Sequence, residues 1–78
     1  MRTKYKHIEM KPEGNTWKVV NTQKKQVLGT IGYYNRWKQF CFVPAANTIF
    51  SASCLGDLQE FIVQLIEQPL VDTLKQNE

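Results

Sequence analysis

One segment limits the architecture more than any other. Between Ser51 and Gln68, the residues Leu55, Leu58, Ile62, Leu65 and Ile66 recur at three- and four-residue spacing, flanked by Cys54 and Phe61. Gln59, Glu60, Gln64 and Glu67 fall on the opposite side. This is the signature of an amphipathic helix. Ser51 stands where an N-cap belongs, and Asp57 comes early enough to complement the helix dipole. Gly56 lowers helix propensity by about 1 kcal/mol, and Pro69 is expected to end the helix near Gln68. The stretch "PLVDTLKQ" then adds at most one turn, with Leu70, Val71 and Leu74 available to pack. With a single helix, a sheet built from the preceding residues is covered on one face only.

The preceding residues read as strands. "KPEGN", Lys11–Asn15, is a turn punctuated by Pro and Gly. "TWKVV" is a short strand of aromatic and β-branched residues, and "NTQKKQ" is a polar connection of hairpin length. "VLGTIGYY" and "WKQFCFV" are two more strands, the last closed by Pro44. The expected fold class is therefore α+β: a three-stranded antiparallel sheet packed on one face by a C-terminal helix, in the order β-β-β-α. One domain is expected, with a basic arm over 1–14, the sheet over 15–44, the helix over 51–68 and a tail over 69–78.

Side-chain alternation divides the sheet. With Asn35–Arg36 as a two-residue turn, Tyr34 pairs with Trp37, Gly32 with Gln39, Thr30 with Cys41 and Leu28 with Val43. The alternate set joins Tyr33 to Lys38, Ile31 to Phe40 and Gly29 to Phe42, with Val27 near Pro44. This second set is the oilier and is assigned to the helix-covered core, with Gly29 leaving room for Phe42. For the first strand, a five-residue loop over 22–26 puts Trp17 opposite Ile31 and Val19 opposite Gly29, both inward. A four-residue loop sends Trp17 outward, because a one-residue slip flips every side chain. In the first register the open face displays Lys18, Val20, Leu28, Thr30, Tyr34, Trp37, Gln39 and Cys41, with Arg36 at the turn.

Charge is uneven along the chain. The net charge is +3. Residues 1–26 hold seven basic side chains against Glu9 and Glu13, and Arg36 and Lys38 follow with no acid before residue 51. Residues 51–78 hold five acids against Lys75 alone. A basic first part beside an acidic last part suits a polyanionic partner, or two surfaces that attract each other. The start of the chain has no apolar stretch after its basic residues, so no signal peptide is expected. The run around "FIVQLI" is too short and interrupted to cross a membrane, and Cys41 and Cys54 are read as reduced thiols in a cytoplasmic protein.

Catalysis is not expected. Cys54 lacks a basic partner, since His7 is the only histidine and sits in the arm. One histidine and two cysteines fall short of zinc-site patterns, so no metal and no cofactor are assigned. Asp57 and Glu60 read as solvated helix charges, and the glycines of "LGTIG" as spacers within a strand. A sheet face bearing aromatic, amide and cationic groups instead suits nucleic acid, DNA ahead of RNA. Tyr34 and Trp37 would stack on bases, Gln39 would reach a base edge, and Lys18, Lys24, Lys25 and Arg36 would meet phosphates. Arg2, Lys4, Lys6 and Lys11 of the arm would add phosphate contacts. The rival reading is a protein-interaction module, a homodimer or an inhibitor of a host factor, using the same face through Val20, Leu28, Tyr34 and Trp37.

Part of the chain carries a resemblance. "LGTIGYYNRWKQFCFVPAANTIFSASCLGDLQEFI" resembles small proteins encoded by bacteria, phages and mobile elements. In these a W-K/R-x-aromatic-x-F-x-P strand precedes a loop with Thr and Phe, then C-L-x-D-I/L opens a helix. The matching positions are Trp37, Lys38, Phe40, Phe42, Pro44, Thr48, Phe50, Cys54, Leu55, Asp57 and Leu58. The resemblance implies a setting, accessory proteins of genetic parasites and their hosts, rather than an activity. The expected fold is also similar to the arm-type DNA-binding domain of tyrosine integrases, which lays a three-stranded sheet in the major groove. No integrase catalytic segment accompanies it here.

Overall fold

A computed structural model describes residues 1–76, with helix side chains as far as Glu67. The chain forms β1 (Ile8–Glu13), β2 (Thr16–Asn21), β3 (Val27–Tyr34), β4 (Gln39–Pro44) and α1 (Ala52–Gln76). The fold is α+β with an antiparallel sheet and one C-terminal helix, but the sheet has four strands in the order β1-β2-β3-β4, not three.

The additional strand comes from residues expected to form an arm. Ile8 and Met10 alternate with Glu9 and Lys11, so β1 buries one face and wets the other. Gly14 and Asn15 join β1 to β2, with Glu13 opposite Thr16. Gly14 adopts φ +60°, the value needed at the first position of a type II′ hairpin turn. The residues before β1 are also built in. The Tyr5 N–H reaches the Ile8 carbonyl at 2.8 Å and the Met10 N–H reaches Thr3 at 2.7 Å, so residues 3–5 border the outer edge of β1. Arg2 continues to the helix, 3.5 Å from Glu60, and exchanges hydrogen bonds with the Gln64 side chain.

The β2–β3 register matches the five-residue-loop alternative, with Trp17 opposite Ile31 and Val19 opposite Gly29. One step further the ladder breaks, and Val20 pairs with Val27, leaving Leu28 as an extra residue. This β-bulge re-aims neighbouring side chains. Leu28, expected on the open face, joins the buried core, and Val27, expected inside, is 45% exposed.

The β3–β4 turn is longer than expected. Four residues, 35–38, connect Tyr34 to Gln39, so every pair shifts by two: Tyr33 meets Phe40, Ile31 meets Phe42 and Gly29 meets Pro44. A shift of two preserves the faces. Gly29 still makes room for Phe42, because a Cβ there would sit 2.6 Å from the Phe42 ring.

The helix closes the core on one face. Leu58, Phe61 and Leu65 pack against Ile8, Met10, Val19, Leu28 and Ile31. Phe61 meets the Trp17 ring edge-on at 5.0 Å, and Phe42 meets Phe50 in the same way at 5.3 Å. Of these rings Phe61 is fully buried, and burial of such a side chain contributes about 1.5–3 kcal/mol. Ser51 caps the helix, its Oγ accepting the Cys54 N–H at 3.2 Å. Asp57 lies in the second turn, beyond the reach of the dipole term. Two expectations for α1 need correction. The helix does not stop near Gln68 but continues past Pro69 to Gln76: the proline φ is itself helical, and its lost hydrogen bond and ring–carbonyl clash do not end the helix. Leu55 and Ile66, expected in the core, are 53% and 51% exposed, because the sheet covers a narrower stripe than the apolar side of the helix offers. The packing expected of Leu70, Val71 and Leu74 lies outside the described side chains.

Candidate nucleic-acid interface

The face of the sheet turned away from α1 is uncovered among the described residues. Its rows follow from the register. Lys11, Lys18, Thr30 and Val43 lie side by side across the four strands. Gly32 sits beside Cys41, and Tyr34 beside Gln39. Val20, on the same face, is shielded by its strand neighbours and is 7% exposed. Gly32 is closely approached by Thr16, whose methyl would lie 3.0 Å from an added Cβ, so the centre of the face is shallow.

The turn over 35–38 builds the most distinctive corner. The Trp37 N–H reaches the Tyr34 carbonyl at 3.2 Å, and Lys38 takes the left-handed φ of 55° that returns the chain to β4. The two rings consequently meet edge to face with centroids 5.2 Å apart. Trp37 is 63% exposed. It belongs to the turn rather than to the strand, so its indole has one side free for a partner. Arg36 precedes it in the turn and Gln39 opens β4 beside Tyr34, both exposed. Tyr34, Arg36, Trp37 and Gln39 are therefore brought together.

The cationic residues are spread more widely. Lys18 is central but bound to Glu13, 3.0 Å from its carboxylate oxygen, a surface pair of modest strength. Lys11, expected as an added phosphate contact at the arm and its turn, instead lies in β1 directly opposite Lys18 on this face. The signal was present in the alternation of "IEMK", which places it outward. Lys24 and Lys25 do not join the aromatic corner. They occupy the β2–β3 loop, held by Asn21 Oδ1, which accepts the Gln23 and Lys24 N–H groups at 2.8 and 3.0 Å. That loop lies at the other end of β3 from the turn, a strand length of roughly 24 Å away.

A second concave feature lies on the helix side, a cleft of about 290 Å³. His7 and Cys54 both line it, with Asn21, Lys24 and Thr48. His7 is thus placed in a turn, its carbonyl accepting the Thr22 N–H at 3.0 Å, and not in a loose arm. No hydrogen bond joins His7 to Cys54 among the described residues, and no group of three potential metal ligands occurs among them. Among the described residues no helix is long and apolar enough to cross a membrane.

No protein family, curated protein or solved structure matches the chain.

Proposed function

We propose that this chain is a non-enzymatic nucleic-acid-binding accessory protein, DNA being the first substrate to test, and that it binds through the open sheet face. The observation that carries the reading is the exposed Trp37–Tyr34 pair set beside Arg36 and Gln39 at one corner of that face. An indole with a free side stacks on an unpaired base, each such contact contributing about 1–3 kcal/mol. Gln39 offers an amide to a base edge, while Arg36 and Lys38 reach phosphates at the corner and Lys11 and Lys18 continue the track across the strands. Because stacking needs a splayed base, single strands or duplex ends bind ahead of intact duplex. Lys24 and Lys25 serve a longer strand that reaches the far end of the sheet. The resemblance to phage and mobile-element proteins agrees with such a role, in a cytoplasmic setting.

Salt is the test. With about four phosphates neutralised on single-stranded DNA, affinity should fall about 50-fold between 50 and 200 mM monovalent salt. Fluorescence anisotropy with labelled single- and double-stranded oligonucleotides measures this directly. Absence of binding at low salt, or binding indifferent to salt and to Trp37→Ala, would overturn the proposal.

A further inference from the structure

We propose that the chain forms a two-fold dimer in which β4 pairs antiparallel with β4 of a second copy. The two ends of the sheet differ in a way that selects this edge. The outer edge of β1 is bordered by residues 3–5 and carries Glu9, Lys11 and Glu13, charges that discourage strand addition. β4, "QFCFVP", carries no charge, and nothing borders its outer edge among the described residues.

The backbone of β4 is suited to a partner strand. The Ala45 N–H bonds to the Leu28 carbonyl at 2.9 Å. Antiparallel alternation then turns the N–H and C=O groups of Val43, Cys41 and Gln39 toward β3 and those of Phe40 and Phe42 outward. Pro44, also outward, has no N–H to leave unpaired.

The helix supplies the rest of the surface. At helical spacing Leu55, Ile62 and Ile66 lie along one flank, and the opposite flank is fixed by Glu60 and Gln64, which hold Arg2 and Tyr5 beside β1. The Leu55–Ile66 flank therefore lies toward β4. Tyr33, 52% accessible and opposite Phe40, adds exposed aromatic surface on the same helix-covered side of the sheet. Two copies related by a two-fold axis normal to the sheet place these flanks against each other with no like charges opposed.

A second copy is favoured over a foreign strand because the edge is self-complementary. Pairing in which both outward donors of β4, Phe40 and Phe42, are satisfied across the axis as Phe40 with Phe42 and Phe42 with Phe40 sets Cys41 opposite Cys41 of the second copy. Among the described residues β4 is the edge that is both uncharged and unbordered, while β1 is bordered at Ile8–Met10 and charged beyond, so association through β4 closes at two copies instead of growing into a fibre. This surface is separate from the proposed nucleic-acid face, so either proposal can fail alone.

Sedimentation equilibrium of the full chain should give twice the 9.1 kDa chain mass in the micromolar range. Leu55→Glu with Ile66→Glu, both at half-exposed positions, should give a monomer with unchanged far-ultraviolet circular dichroism. A second readout needs no apolar substitution. In a non-hydrogen-bonded pair the two Cys41 Cα atoms stand about 4.5 Å apart, inside the disulfide range of about 4.4–6.8 Å. Diamide, taking two electrons and two protons from the two thiols, should therefore cross-link the wild type and Cys54→Ser but not Cys41→Ser. A monomer throughout the micromolar range, a dimer that survives the double substitution, or cross-linking that depends on Cys54 would overturn the proposal.

Discussion

Replacing Gly29 by alanine tests the packing of this fold at its tightest point. An added Cβ would meet the Val43 carbonyl oxygen and two atoms of the Phe42 ring, the latter at 2.6 and 2.8 Å. Phe42 cannot easily swing away, because Phe50 stands against it edge-on at 5.3 Å. Overpacking of this kind costs about 1–3 kcal/mol. The backbone adds a separate penalty, since Gly29 has φ +156°, where a side chain costs about 1–3 kcal/mol. Together the two come to about 2–6 kcal/mol, set against a total stability of about 4–12 kcal/mol for a chain this long. Gly29→Ala is thus expected to lose at least about a quarter of the stability of a mid-range protein and to unfold a marginal one.

The assay is urea unfolding followed by tryptophan emission in a Trp37→Phe background, so that Trp17, packed on Phe61, is the reporter. With a slope of about 1 kcal/mol per molar urea, the midpoint should drop by about 2 M or more. Gly56→Ala is the matched control. Nothing lies within 4 Å of its Cβ position, and it sits in the helix, so a gain of about 0.4–1 kcal/mol is expected. A Gly29→Ala protein within about 0.5 kcal/mol of its parent would refute the β3–β4 packing described above.

Other substitutions separate the core from the displayed surface. Phe61→Ala should cost about 3–5 kcal/mol in the same assay, whereas Trp37→Ala should leave the midpoint in place and weaken oligonucleotide binding by about 1–3 kcal/mol. Ser51→Ala removes the acceptor of the Cys54 N–H and should cost about 1 kcal/mol. Tyr5 should give stability an alkaline dependence. Burial first, then the charges of Glu60 and Asp57, raise its phenol above the ordinary 10.0, with Arg2 and the Gln64 hydrogen bond opposing. The unfolded chain therefore ionises before the folded one, so this contribution is complete below pH 10 and is lost as pH rises through the folded value. Alkaline titration of unfolding should show that slope in the wild type and lose it in Tyr5→Phe.

The parts of the fold legible in the sequence were those fixed by local pattern. The period of the helix, the Ser51 cap and the inward set Ile31, Phe40 and Phe42 follow from spacing and alternation, which a two-residue change of register does not disturb, whereas the side taken by Trp17 turned on the length of the β2–β3 loop. What escaped depended on contacts remote in sequence. β1 holds only two buried apolar residues and contains Pro12, so by itself it resembles a turn. It becomes a strand because β2 offers an unpaired edge beneath the same helix. The bulge at Leu28 arises from the pairing of two strands and leaves no mark on either one alone. In the candidate site, the aromatic corner was legible because its residues are neighbours in the chain. The separation of Lys24 and Lys25 from that corner was legible too, since they sit in the loop before β3 and Arg36 in the turn after it, at opposite ends of one extended strand.

The two uncovered surfaces bear on each other through geometry. Pairing at Cys41 puts the two Trp37 corners on opposite sides of the two-fold axis, each in the turn beyond Gln39, which is itself two residues from the axis, so they stand more than about 14 Å apart along the strand direction. Both lie on the same side of the extended sheet, because the axis is normal to it. One strand long enough to reach both corners gains the second contact intramolecularly, at an effective concentration set by its own length. A short oligonucleotide gains nothing from dimerisation. Leu55→Glu with Ile66→Glu should therefore weaken binding of a long single strand by tenfold or more while leaving a short one unchanged. Equal loss for both lengths would mean that the helix flank itself touches nucleic acid, and that the faces have been divided wrongly.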